Sequence, residues 1–106
     1  MASRAEDWFR QALRDLQHAR DALDRTTFEW AAFAAQQAAE KAVKALYQRL
    51  GAEARGHSVT QLLAALPPGA RPADALIETA KELAEALRAV DGAERIIEHC
   101  KGHLFR

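Results

Sequence analysis

Two sets of residues in this chain have types and spacings that chemistry could use. Trp30, Phe33, Gln37, Lys41, Lys44 and Gln48 fall within one sector of a helix. Two ammonium groups, amides and stackable rings are the group types that hold a phosphate and a base. The same set suits a partner protein or a second copy of the chain, because a face that meets only water needs no large aromatics. The plain alternative is a solvated face whose rings pad a neighbour. The second set, His99 and His103 with Cys100 beside them, has the i, i+4 spacing that two metal ligands would need. No HExxH pattern and no partner carboxylate accompany it, so half-buried histidines beside a small core cysteine are expected, with no metal and no cofactor.

His57 stands alone, between Gly56 and Ser58. A histidine there could meet an anion at the start of a helix or act as an acid; the plainer role is to fix the turn. Arg10, Arg14 and His18 form an i, i+4, i+8 basic strip, but Asp7, Asp21 and Asp24 lie near, which suggests a salt-bridged, solvated face. No phosphate-binding glycine loop, nucleophile elbow or paired-carboxylate motif is present.

The elements that position these residues are helices. Ser3 and Glu6 have the spacing of a capping box, and Trp8, Phe9, Ala12, Leu13, Leu16, Ala19 and Leu23 form an apolar stripe that predicts a first helix to about residue 25. Asp15 is the exception, at the edge of that stripe. Thr26 and Glu29 suggest a second box. The helix after it, rich in alanine, runs to Gly51, a natural C-terminal stop. One of its faces holds Phe28, Ala31, Ala35, Ala38, Ala39, Ala42, Val43, Leu46 and Leu50, small residues that let a neighbour approach. Its other face carries the polar–aromatic set, with Tyr47. Ser58 and Gln61 open a short helix that Pro67-Pro68-Gly69 ends. Pro72 sits near the start of a further helix whose stripe is Ala73, Leu76, Ile77, Ala80, Leu83, Ala84 and Leu87. Asp91-Gly92 signals a turn before a last stripe of Ala93, Ile96, Ile97, Cys100 and Leu104, unless Gly92 is tolerated and the two helices continue. No segment alternates with period two. The expected fold is all-α: an antiparallel up-and-down four-helix bundle with one additional short helix, in a single domain over 1–106.

Composition agrees. A chain of 106 residues can bury a core without staples. Zero formal net charge argues against a broad electrostatic grip on nucleic acid, though not against a local patch. A single cysteine excludes an internal disulfide and fits a reducing compartment. No apolar run would span a bilayer and the charged N-terminal stretch lacks a leader's apolar core, so a cytoplasmic protein without membrane contact is expected.

The residues also resemble a known family. Trp8…Ala12…Asp15-Leu16…Ala19, then Trp30-Ala-Ala-Phe33-Ala-Ala-Gln36-Gln37-Ala-Ala-Glu40-Lys41-Ala-Val-Lys44-Ala-Leu46, then Gly56-His57-Ser58…Leu62-Leu63, is similar to a HEPN domain. The resemblance spans about residues 5 to 104. It implies a bundle of four long helices and a short one, often a homodimer, that binds nucleotides or RNA. Many such domains are encoded beside a minimal nucleotidyltransferase, as partners in two-component systems related to toxin–antitoxin pairs. Others are ribonucleases in which about four to six residues stand between an Arg and a His on the last long helix. No pair here has that spacing: Arg95 is too close to His99 and too far from His103, and Arg14 is too close to His18. Relatives also often carry a Tyr- and Pro-containing segment between the last two helices, where this chain has only Val90–Ala93.

The leading expectation is therefore a non-catalytic binding module. Trp30, Phe33, Gln37, Lys41, Lys44 and His57 would contact a nucleotide, an RNA or a minimal nucleotidyltransferase subunit. The alternatives are a metal-independent ribonuclease built on Arg95 with His99 or His103, and a purely structural dimerisation module.

Overall fold

The computed structural model describes residues 3–105, with Ala86 described by its backbone alone. Of the domain expected over 1–106, residues 1, 2 and 106 lie outside that range. The described residues form five helices and no strand: α1 (Arg4–Asp24), α2 (Phe28–Leu50), α3 (Val59–Ala64), α4 (Asp74–Ala80) and α5 (Ala86–Leu104). The all-α bundle expected from the periodicity is thus the observed architecture.

α2 is the central element, packing along most of its length on α1 and on α5, and touching α3. Its alanines explain this. Ala31, Ala35, Ala38, Ala39, Ala42 and Ala45 are fully buried, and side chains that small let neighbouring backbones close in on more than one side. Phe9, Leu16, Leu46, Leu63, Leu66, Ile96 and Ile97 supply the bulk that fills the core between them.

Local signals fix the boundaries. Ser3 Oγ accepts the Glu6 amide at 3.1 Å and Ser58 Oγ the Gln61 amide at 3.2 Å, as their spacings predict. The expected box at Thr26 does not form. Thr26 has φ +58° in the tight α1–α2 turn, Thr27 caps α2, and the Thr27 hydroxyl donates back to the Ala22 carbonyl at 2.9 Å. Gly51 ends α2 in the left-handed region, as expected.

Four large side chains of α1 and α2 leave their expected faces, among them Leu13, which the α1 stripe predicts to be inside and which is exposed. Tyr47 is buried rather than outward, its hydroxyl donating to the Leu62 carbonyl at 2.6 Å, because α3 packs on that side of α2. Phe28 and Leu50, at the two ends of α2, are exposed.

The last boundary also moves. Asp91-Gly92 makes no turn and lies inside α5, while the chain breaks at residues 81–85. The physical reason is phase. In one continuous helix the Leu76–Ala80–Leu83–Leu87 stripe would lie roughly 100° around from Ala93, Ile97, Cys100 and Leu104. A straight helix could not turn both stripes to one core, so the chain re-phases between them. Leu87 keeps the earlier phase inside α5 and is left 78% exposed. Ala84, also expected in the stripe, is exposed.

Candidate functional site

α1 and α2 meet along their outer edges in a groove of about 310 Å³, lined by Asp15, His18, Ala22, Trp30, Phe33, Ala34, Gln37 and Lys41. Helical spacing supplies both walls: Asp15, His18 and Ala22 are i, i+3, i+7 on α1, and Trp30, Phe33, Ala34, Gln37 and Lys41 follow the matching edge of α2. Ala22 and Ala34 leave the floor open. Trp30 and Phe33 form the apolar end, their rings edge to face at 5.9 Å between centroids and 68% and 56% exposed.

The polar end is an ion pair. Lys41 Nζ lies 2.7 Å from Asp15 Oδ2, with the side chains only 25% and 19% exposed. That carboxylate oxygen is buried and no well-aligned hydrogen bond reaches it, so charge attraction is what holds it. Lys41 is therefore neutralised by the floor on which it sits.

The six residues expected to act together divide into two sites. Trp30, Phe33, Gln37 and Lys41 share the groove. Lys44 and His57 meet instead over Glu40: Lys44 Nζ donates to Glu40 Oε2 at 2.9 Å, His57 Nδ1 lies 3.0 Å from the same oxygen, and Lys44 and His57 are 3.4 Å apart. Burial pushes the Glu40 carboxyl up, but the hydrogen bonds from His57 and Lys44 and their charges outweigh it and hold its pKa below the ordinary value. Lys44 also stands over the Trp8 ring, 5.9 Å from its centroid. His57 is the exposed member, and with Tyr47–Leu62 it ties the α2–α3 connection to α2.

The groove also recruits residues outside the expected set. His18, exposed like the rest of its strip, also lines the groove wall, and Asp15 provides the charge partner of Lys41. Asp15's place at the edge of the α1 stripe was the sequence signal for this: an acid at the seam between two helices needs a cation across it.

The alternative set lies elsewhere, on α5. Arg95 Nε is 3.4 Å from Asp91 Oδ2. His99 Nε2 donates to the Ala70 carbonyl at 2.6 Å, which commits that nitrogen to the α3–α4 connection. The His99 and His103 rings lie 4.6 Å apart. Cys100 is buried and its thiol pKa pushed up to about 12 by burial, so it packs as a hydrophobe. Among the described residues no three His, Cys, Asp or Glu side chains are grouped to hold a metal ion. No helix among them is long and apolar enough to cross a membrane.

Residues 5–91, which include both walls of the groove, match the HEPN domain family model. The chain belongs to the HEPN family. Three solved structures share the fold over nearly its whole length. TT1696 from Thermus thermophilus is 35% identical, covering 97% of this chain and 100% of its own, with a TM-score of 0.89. ST0689, described as an archaeal HEPN homologue, is 33% identical at TM-score 0.84, covering 97% and 99%. The HEPN domain protein tm0613 from Thermotoga maritima is 35% identical at TM-score 0.80, covering 94% and 98%. Among curated proteins no relative matches. The Val90–Ala93 stretch, expected to lie between the last two helices of this HEPN domain, is instead a turn of α5.

Proposed function

We infer that this HEPN domain is a non-catalytic binding module and that the α1–α2 groove is its contact surface for a partner protein. A minimal nucleotidyltransferase subunit is the partner the family implies. The observation that carries this reading is the exposed Trp30–Phe33 pair at the mouth of the groove. Large aromatics presented beside a concave apolar floor are the anchors from which protein interfaces draw most of their affinity. The Lys41–Asp15 pair supports the same reading, because a neutralised floor does not recruit phosphate by charge.

A second reading keeps the same groove. The amide of Gln37 with the acceptor and donor of Asp15 and Lys41 offers a planar ring of a nucleotide hydrogen bonds beside two stacking faces. The ribonuclease alternative on α5 would need His99 to leave the Ala70 carbonyl.

The test uses the minimal nucleotidyltransferase encoded nearest the gene, with ATP as the nucleotide probe. Trp30→Ser with Phe33→Ser should weaken partner binding at least tenfold, with melting temperature little changed, since both side chains are exposed. Partner binding that survives both substitutions refutes the groove as the contact surface. Loss of ATP binding in Lys41→Ala with the partner still bound would favour the second reading. RNA cleavage by the purified protein that His99→Ala abolishes would restore the enzyme reading.

A further inference from the structure

Residues 81–85, Lys-Glu-Leu-Ala-Glu, include no Gly or Pro and are strong helix formers, yet they run as turns between α4 and α5. Tertiary packing holds them out of helix. Leu83 is buried and, with Thr79, lies against Gly92 of α5. A Cβ at Gly92 would come within 3.1 Å of Leu83 Cδ2, 3.2 Å of Thr79 Cγ2 and 3.8 Å of the Thr79 carbonyl oxygen. α4 thus folds back onto α5 at a point where α5 has no side chain. The arrangement leaves Leu87 out. In an unbroken helix Leu76, Ala80, Leu83, Leu87 and Val90 would fall at alternating spacings of four and three, the seam of a coiled coil. The fold-back takes that seam apart, turning Leu83 inward and leaving Leu87 in water.

We propose that the α4–α5 junction is a conformational switch between this folded-back form and an extended form in which residues 81–85 become helical and Asp74–Leu104 is one helix. Gly92 is the latch: its missing side chain admits Thr79 and Leu83, and filling that space drives the junction open. The ion pairs Lys81–Glu78 and Arg88–Glu85 have i, i+3 spacings that the extended form keeps, while Arg88–Glu82 is made only in the folded-back form. The extended form brings Leu76, Ala80, Leu83 and Leu87 back onto one face.

The experiment places spin labels at Asp74→Cys and Lys101→Cys, both exposed, with native Cys100 buried and unlabelled. The Thr79–Gly92 contact limits the separation of positions 74 and 101 to under about 30 Å, whereas one continuous helix sets it near ~40 Å. Gly92→Leu should shift the distance distribution to about 40 Å with the helical CD signal kept or raised. Adding Ala86→Pro should remove that population. Position 86 is the first residue of α5, where proline is accepted after the extended Glu85 (φ −94°, ψ 111°), but it would be interior in the fused helix. A Gly92→Leu protein that keeps the short distance, or a long-distance population that persists with Ala86→Pro, overturns the proposal. Should Gly92→Leu not fold, Gly92→Ala decides: growth of the long-distance population over wild type supports the switch, and an unchanged distribution overturns it.

Discussion

Asp15→Asn is the substitution that most directly tests how the groove is built. At 2.7 Å the Lys41–Asp15 attraction is about 6 kcal/mol at an effective dielectric of ~20 and about 1.5 kcal/mol in bulk water. Desolvation of two side chains that are three-quarters or more covered, and the fixing of Lys41, take back most of the larger figure. A net coupling of about 1–2 kcal/mol remains, above the usual range for a fully exposed pair. Asp15→Asn alone should lower the melting temperature by roughly 4–16 °C, on the scale of about 4–8 °C per kcal/mol for a domain this size. Lys41→Gln alone should fall in the same range. The double variant should be less destabilised than the sum of the two, and a urea-denaturation cycle over the four proteins measures the difference. A coupling below about 0.3 kcal/mol would refute the argument that the pair cements the α1–α2 seam. The same variant separates the two uses of the groove. Asp15→Asn unmasks the Lys41 charge, so ATP should bind more tightly at low salt if phosphate is what the groove receives, whereas an aromatic-anchored protein contact should be nearly indifferent.

Three further outcomes follow from groups around the site. Tyr47→Phe should cost about 1–2 kcal/mol by thermal melting, because it strips the Leu62 carbonyl of a buried donor and loosens α3; an effect within experimental error would mean that α3 is held by packing alone. Glu40 has a folded-state pKa below its ordinary value of 4.5, so its stabilising contribution is present above that value and lost as pH falls through the folded-state pKa. The stability gap between wild type and His57→Ala, measured by urea unfolding, should therefore narrow as pH falls below about 4.5. Cys100, with its thiol pKa raised to about 12 inside the core, should resist a thiol reagent at about pH 8 and react only at the rate of unfolding; fast labelling of the native protein would contradict the burial.

Much of the fold was legible because its signals are local. Ser3 and Ser58 announce helix starts through side chains that reach their own next turn, and Gly51 announces a stop through a backbone angle that other residues resist. Thr26 misled for the same kind of reason. It has the spacing of a cap, but the three residues available to turn from α1 into α2 force it to φ +58°, and no sequence pattern carries that constraint. The burial of Tyr47 is not legible in the periodicity of α2, because the short helix α3 covers it from another part of the chain.

The site shows the same division between what a helix says of itself and what its neighbours add. The spacing of Trp30, Phe33, Gln37 and Lys41 does place them on one edge, and all four line the groove. Lys44 satisfies the same spacing rule and yet belongs elsewhere, because Glu40 lies one turn before it and captures it together with His57. The sequence holds both acids that do this. Asp15 sits at the edge of an apolar stripe and Glu40 lies i, i+4 from Lys44, and each is the partner of one lysine. Two lysines read as a basic face are, once their acids are counted, two closed ion pairs. What that face still offers to a partner is aromatic: Trp30 and Phe33, ring against ring at the mouth of a floor made of alanines. A surface whose lysine charges are spent internally and whose rings are left in water is suited to apolar contact, and this is why the groove is better matched to an anchored partner than to a polyanion.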